Sequence, residues 1–280
     1  NEALLEAERL WEALSRNEGL LRIARTPLIL SLITLVHKTR ADLPKGRARL
    51  YRECLEILLE KWDMEDKRLR LPDAPSLKDK LLVLQHIAVA FLRDGMVELD
   101  AAGLEKLFAP LLSTFSTPNL SAERLLRHIT ERSGVLLETR IGVYGFAHRA
   151  LADYLAASFL AEQGQDAELL PHTAEERWRE VILIAAGLVV KGRAETLITA
   201  LLERSGDAAA GAAMAASLTL AGWSLAEDVQ ISARLRQRVK KRLAAGLERA
   251  DDASSFAALA EALLTADSAA ASNWMCATLT

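Results

Sequence analysis

The sequence predicts a mainly α-helical protein with one short β-hairpin, and three observations support that class. Ala and Leu dominate a composition with 51% hydrophobic and only 5% aromatic residues, a balance that favours helix over sheet in an ordered chain. Apolar residues recur at three- and four-residue steps through most of the 280 positions, which is the spacing of one helix face. One stretch, 134–157 (GVLLETRIGVYGFAHRALADYLAA), departs from that rhythm: 135–139 and 143–146 are β-branched or aromatic runs, and Arg140-Ile141-Gly142 supplies a turn between them.

From the N-terminus, Leu4, Leu5, Leu10, Trp11 and Leu14, then Leu20, Leu21 and Ile23, read as two helices with Asn17 as the cap between them. Thr26-Pro27 opens the next helix, because threonine caps and proline fills a first turn that loses no amide hydrogen bond. The run LILSLITLVHK that follows is apolar nearly all round and is expected to be buried. Leu43-Pro44-Lys45-Gly46 ends it. In 47–62, Leu50, Cys54, Leu58 and Trp62 align at four-residue steps, flanked by Tyr51, Leu55 and Leu59.

The charged, proline-containing stretch KRLRLPDAP marks a boundary. Ser76 caps a helix to Leu92, with Asp79 in the capping-box place and Leu81, Leu84, Ile87, Ala88 and Phe91 inward. Asp100 caps a second helix through Leu112, and Ser121 a third ending at Gly134. Then comes the hairpin. Three helices followed by a hairpin and a further helix is the order of a winged helix. His148 sits at the junction of hairpin and helix, near a helix N-terminus, where anions bind. Without further information, a histidine there is more often a helix-end hydrogen bonder than a ligand contact.

Beyond Gln165 the pattern is helical again. Trp178, Val181, Ile182, Ala185, Leu188 and Val189 form one stripe, with Leu197, Leu201 and Leu202 as its partner. Residues 207–221 are alanine-rich and suited to close packing. Ile231, Leu235, Val239, Leu243 and Leu247 form a ladder beside the basic run 234–242, and Phe256, Leu259, Ala260 and Leu263 close the series. The alternation predicts a HEAT-like or superhelical segment over 165–280, although no self-similar motif repeats. The domain limits expected are thus a helical domain over 1–70, a winged helix over 71–164 and the helical segment over 165–280.

Two sets of residues carry a resemblance. Phe146, His148 and the run Asp153-Tyr154-Leu155-Ala156-Ala157 resemble the winged-helix segment of NACHT-type STAND NTPases, the NOD-like signalling ATPases. The stretch 17–63, with T-P-L-I-L, Leu43-Pro44, Leu50-Tyr51 and Trp62-Asp63, is similar to their first helical domain. The chain departs from the family pattern at Leu151 and Ala152, where an aromatic and a glutamine are common, and at Thr26, where asparagine is more usual. The resemblance implies that His148 contacts the phosphate end of bound ADP and holds a closed, inactive form, while Pro27 lies against the adenine.

It further implies ADP or ATP as cofactor, with Mg in the intact protein, and an N-terminal ATPase core of the same protein as partner. Homo-oligomerisation on activation, a protein ligand for the C-terminal helices and a role in signalling such as bacterial defence follow from the same likeness, whereas a cytoplasmic location is expected from the two cysteines and from an N-terminus that is charged and helical, unlike a signal peptide. A start inside a helical pattern without methionine, and an uncapped end, read as a piece of something longer.

The chemistry of the chain alone is sparse. It contains no GxxxxGK[ST] loop and no apolar strand ending in paired acids, so no ATP hydrolysis is expected of this chain by itself. His37, His86, His128, His148 and His172 are scattered at no metal-ligand spacing, and no GxSxG occurs. Cys54 and Cys276 make neither a disulfide framework nor a zinc set. Glu175-Glu176 and Asp251-Asp252 sit at helix starts, where the dipole favours acids. The apolar runs 28–36 and 181–190 are too short to span a bilayer.

With 35 basic and 38 acidic residues, the net charge of −3 gives no global field for nucleic acid, though local basic faces remain open. A DNA-binding winged helix is the second reading, through Arg124, Arg127, His128, Arg132 and Arg140. Glu123 and Glu131 interrupt that face, so DNA is the disfavoured partner. A helical-repeat interaction scaffold is the third.

Overall fold

The computed structural model describes residues 2–15, 20–21, 24, 27–40, 43–44, 46–65, 75–115, 120–207, 212–227 and 229–267. Asn17, Ile23, Thr26, Cys276 and the boundary stretch 67–74 lie outside the described residues, as do the side chains of Leu28, Trp62 and Asp63. Two compact units divide the chain, Asn1–Phe159 and Leu160–Thr280.

The first unit begins with helix α1 (Glu2–Ser15), then α2 (Pro27–Thr39) and α3 (Arg47–Glu65). Ile29, Leu32, Ile33 and Val36 of α2 are buried, but Leu30 is 41% exposed. An apolar helix can therefore leave one face uncovered, against the expectation of burial all round. In α3 the buried set is Leu50, Tyr51, Cys54, Leu55, Ile57 and Leu59, with Leu58 half-buried. The Cys54 thiol donates to the Leu32 carbonyl at 3.6 Å, and burial together with Glu53 pushes its pKa up to about 12.

Helix α4 (Leu77–Asp94) starts on Ser76, whose hydroxyl accepts from the Asp79 N–H at 3.1 Å. It stops at Gly95, whose left-handed φ of 67° suits a residue without Cβ. Asp100 caps α5 (Ala101–Phe108) by accepting from the Gly103 N–H at 2.7 Å. The α-helix expected to run through Leu112 tightens after Phe108 into a 3-10 turn, Ala109–Thr114. Pro110 in it has no N–H to continue the α ladder. Ser121 caps α6 (Ala122–Arg132), accepting from the Arg124 N–H at 3.2 Å.

The hairpin follows as β2 (Leu136–Arg140) and β3 (Val143–Phe146), closed by Gly142 at φ 72°. A bulge between Glu138 and Arg140 brings Arg140 opposite Val143, so the turn is shorter than the sequence predicts. The sheet also has a third strand that the sequence did not announce: β1 (Glu98–Asp100) pairs antiparallel with β3, giving the order β1-β3-β2. Gly145 permits it, because a Cβ there would lie 2.9 Å from the Val97 carbonyl oxygen. An ion pair between Arg140 and Glu98 at 2.6 Å ties the wing to this strand. Helix α7 (Arg149–Glu162) follows, and the first unit ends within its last turns.

The second unit is helical throughout its described residues. A 3-10 segment, Asp166–His172, leads to α8 (Glu176–Leu188), α9 (Lys191–Asp207), α10 (Ala212–Ser224), α11 (Ala233–Leu247) and α12 (Ala253–Ala266). Helix α10 is the hub and packs on α8, α9, α11 and α12. The approach is close because its small residues allow it: a Cβ on Gly222 would meet Leu243 at 2.8 Å and the Ala262 Cβ at 3.0 Å. Leu235, Val239, Leu243 and Leu247 are buried as the ladder predicts, and Ile231 precedes the helix half-buried. Phe256, expected to close the series inward, is 41% exposed. It stands in the first turn of α12, one turn before the buried Leu259.

Candidate functional site

His148 stands between β3 and α7, and local chemistry fixes its ring. The Ala147 N–H donates to the Val135 carbonyl at 2.9 Å, extending the pairing by one residue beyond the strand. The chain then turns, and the Leu151 N–H donates back to the His148 carbonyl at 3.1 Å. At the same turn the Ala150 N–H donates to His148 Nδ1 at 3.1 Å. His148 thus caps its own helix, doing with an imidazole nitrogen what serine or aspartate usually does with oxygen.

That bond decides the tautomer. Nδ1 accepts, so the ring proton sits on Nε2 and the imidazole is neutral. Burial depresses the pKa of His148 below its ordinary 6.5, and a proton on Nδ1 would also cost the cap. The ring is half-buried. It is therefore a neutral Nε2–H donor on a ring tied to the N-terminus of a 14-residue helix.

The surroundings hold this junction still. Phe146 meets Phe91 of α4 edge to face, with ring centroids 5.8 Å apart. Tyr154 of α7 lies 6.0 Å from the Tyr51 ring of α3, and the Arg52 Nε donates to the Tyr154 hydroxyl at 3.4 Å. Asp153, buried, pairs with Arg149 at 3.5 Å. The Phe-x-His and Asp-Tyr-Leu-Ala-Ala residues thus act as one packed motif: Leu155, Ala156 and Ala157 face the interior while the imidazole stays at the rim. Leu151 is buried and Ala152 half-buried.

Pro27 occupies the first position of α2 in the same unit and is exposed, with its carbonyl accepting from the Ser31 hydroxyl at 2.9 Å. No hydrogen bond or ring contact among the described residues joins it to His148. Of the basic residues considered for DNA, Arg127 is held by Glu123 at 2.6 Å and Arg140 by Glu98 at 2.6 Å. Among the described residues no group of three His, Cys, Asp or Glu is arranged to hold a metal ion. No described helix is long and apolar enough to cross a membrane.

Residues 47–160, from α3 to the last turns of α7, match the family model described as the winged helix-turn-helix domain C-terminal to NACHT. This segment is a NACHT-associated winged helix. Its assignment connects the chain to an N-terminal NACHT domain of the same protein, and NACHT proteins are ATPases. No curated protein matches the chain. Within the NACHT winged helix, the part that sequence reasoning missed is the role of Ala150: its N–H sets the imidazole tautomer, and only the two-residue spacing from His148 hinted at it.

Proposed function

We propose that this chain is the closing part of a nucleotide-controlled signalling switch. In this reading an N-terminal ATPase core supplies the phosphate loop and Mg, and the winged helix covers bound ADP. The observation that carries it is the Nε2–H of His148, on a ring tied to a helix N-terminus, in a segment of the NACHT winged-helix family. A neutral N–H donor suits a phosphate oxygen. Pro27 provides an apolar, exposed surface at the start of α2 for the adenine. ADP that binds the covered arrangement more tightly than the open one stabilises it by that difference, and ATP exchange releases it.

The limits that go with this reading are 1–70 for the helical domain, 71–164 for the winged helix and 165–280 for the helical segment. Release would free surfaces for self-association, with the C-terminal helices receiving the trigger, as in cytoplasmic defence signalling.

The test uses the protein that includes the ATPase core. His148→Asn keeps a residue suited to capping but withdraws the donor from the reach of an imidazole. It is expected to lose co-purifying ADP and to raise basal oligomerisation while the fold persists by circular dichroism. Unchanged ADP retention together with an unchanged basal state would overturn the proposal. The DNA reading draws no support from Arg127 of α6 or Arg140 of the wing, which already have carboxylate partners.

A further inference from the structure

Helix α11 carries six cations, Arg234, Arg236, Arg238, Lys240, Lys241 and Arg242, and no acid. Three of them serve the fold of the second unit. Arg236 donates to the Leu225 and Val229 carbonyls at 3.2 and 3.4 Å, Lys240 pairs with Asp267 at 2.6 Å, and Arg242 donates to the Ser205 hydroxyl at 3.1 Å. Arg234, Arg238 and Lys241 are exposed and have no ion-pair partner among the described residues.

Their arrangement works against the helix itself. They fall at i, i+4 and i+7, one above the other on one face, where like charges repel. Arg234 stands in the first turn, at the positive end of the helix dipole, where a cation is disfavoured. Some cations on other helices have carboxylates at hand: Arg127 has Glu123, Arg179 has Glu176 and Arg193 has Asp166. No ion pair among the described residues offsets the α11 stripe.

We infer that the face of α11 formed by Arg234, Arg238 and Lys241 binds the phosphodiester backbone of nucleic acid. The stripe runs about 10 Å along the helix, a length over which duplex DNA presents about six phosphate charges. Arginine forks match phosphate oxygens in pairs. The rest of the face is small or polar, Ala233, Gln237 and Ala245. It offers no apolar anchor of the kind a docked acidic peptide needs and no Trp, Phe or Leu to enter a lipid surface. Backbone phosphate asks only for spaced cations, and binding through it is independent of sequence.

The test is fluorescence anisotropy of the 280-residue chain with short labelled duplex DNA, single-stranded DNA and RNA, titrated with salt. For the duplex, a plot of log affinity against log salt is expected to have a slope of about −2.7, which is roughly 40-fold weakening between about 50 and 200 mM salt. Each of Arg234→Gln, Arg238→Gln and Lys241→Gln should lower that slope by about one. The triple variant should lose binding at unchanged helix content, whereas Arg124→Gln on α6 should bind as the parent does. Comparable affinity for the three nucleic acids identifies the shared phosphate chain, and a preference for one identifies the source. The inference is overturned by no binding at low salt, by binding that survives any of the single changes with its slope intact, or by equal retention on phosphatidylserine vesicles.

Discussion

The two units of this chain achieve order by different means. In the first, polar groups are buried and directed: Lys80 Nζ donates to the Leu59 carbonyl at 3.0 Å, and Gln85 Nε2 to the Ser158 hydroxyl at 3.0 Å. A hydrogen bond fixes a direction as well as a distance, so these contacts set how helices are turned about their own axes. The second unit has such bonds as well, the Ser217 hydroxyl donating to that of Thr173 at 3.1 Å, but its hub is set by shape, with α11 and α12 drawn onto α10 at Gly222 and Gly246. The difference teaches that helices joined by buried side-chain hydrogen bonds are fixed in rotation by direction. A unit whose hub helix is surrounded by four others can be specified by volume.

The contrast is open to attack in four places. Trp178 is 1% exposed and stacked on His172 at 4.0 Å; Trp178→Ala should cost the second unit about 3–5 kcal/mol in denaturant unfolding. Should the first unit's transition move equally, the two do not unfold as separate bodies. Gly222→Val is next, at about 1–3 kcal/mol of overpacking, because the Ala262 Cβ has no rotamer to yield.

Ser121→Ala removes the cap of α6 and should cost the first unit about 1 kcal/mol, read from the same unfolding curves. The smallest effect is a pH dependence. The folded pKa of His148 lies below 6.5, so the native state binds fewer protons there than the unfolded chain does. Stability from this group is complete above pH 6.5 and is lost as pH falls through 6.5 toward the folded value. His148→Asn, a cap that does not titrate, should flatten that slope. A first-unit melting temperature with the same pH slope in both proteins would remove the imidazole from the account.

What the sequence could tell depended on the range of the interaction. Ser76, Asp100 and Ser121 announced their helices because a cap acts within three residues, and β3 was legible with its exact ends because Val143 and Tyr144 are strong strand formers beside Gly142. The strand β1 was not legible. Three residues carry no periodicity, and their pairing depends on the absence of a side chain at Gly145, more than forty positions away. Leu30 and Phe256 were misjudged for the related reason that a stripe shows which residues are apolar and not which neighbour covers them. At the candidate site, the place of His148 at a helix start was visible, whereas the proton's position on its ring required the Ala150 contact.

The thiol of Cys54 gives the first unit a built-in clock. With its ionisation pushed up to about 12, roughly one group in a hundred thousand is the reactive anion at neutral pH. Alkylating reagents should therefore pass over closed molecules and modify those in which α2 and α3 have parted. With Cys276 replaced, the labelling rate reports how often that separation happens.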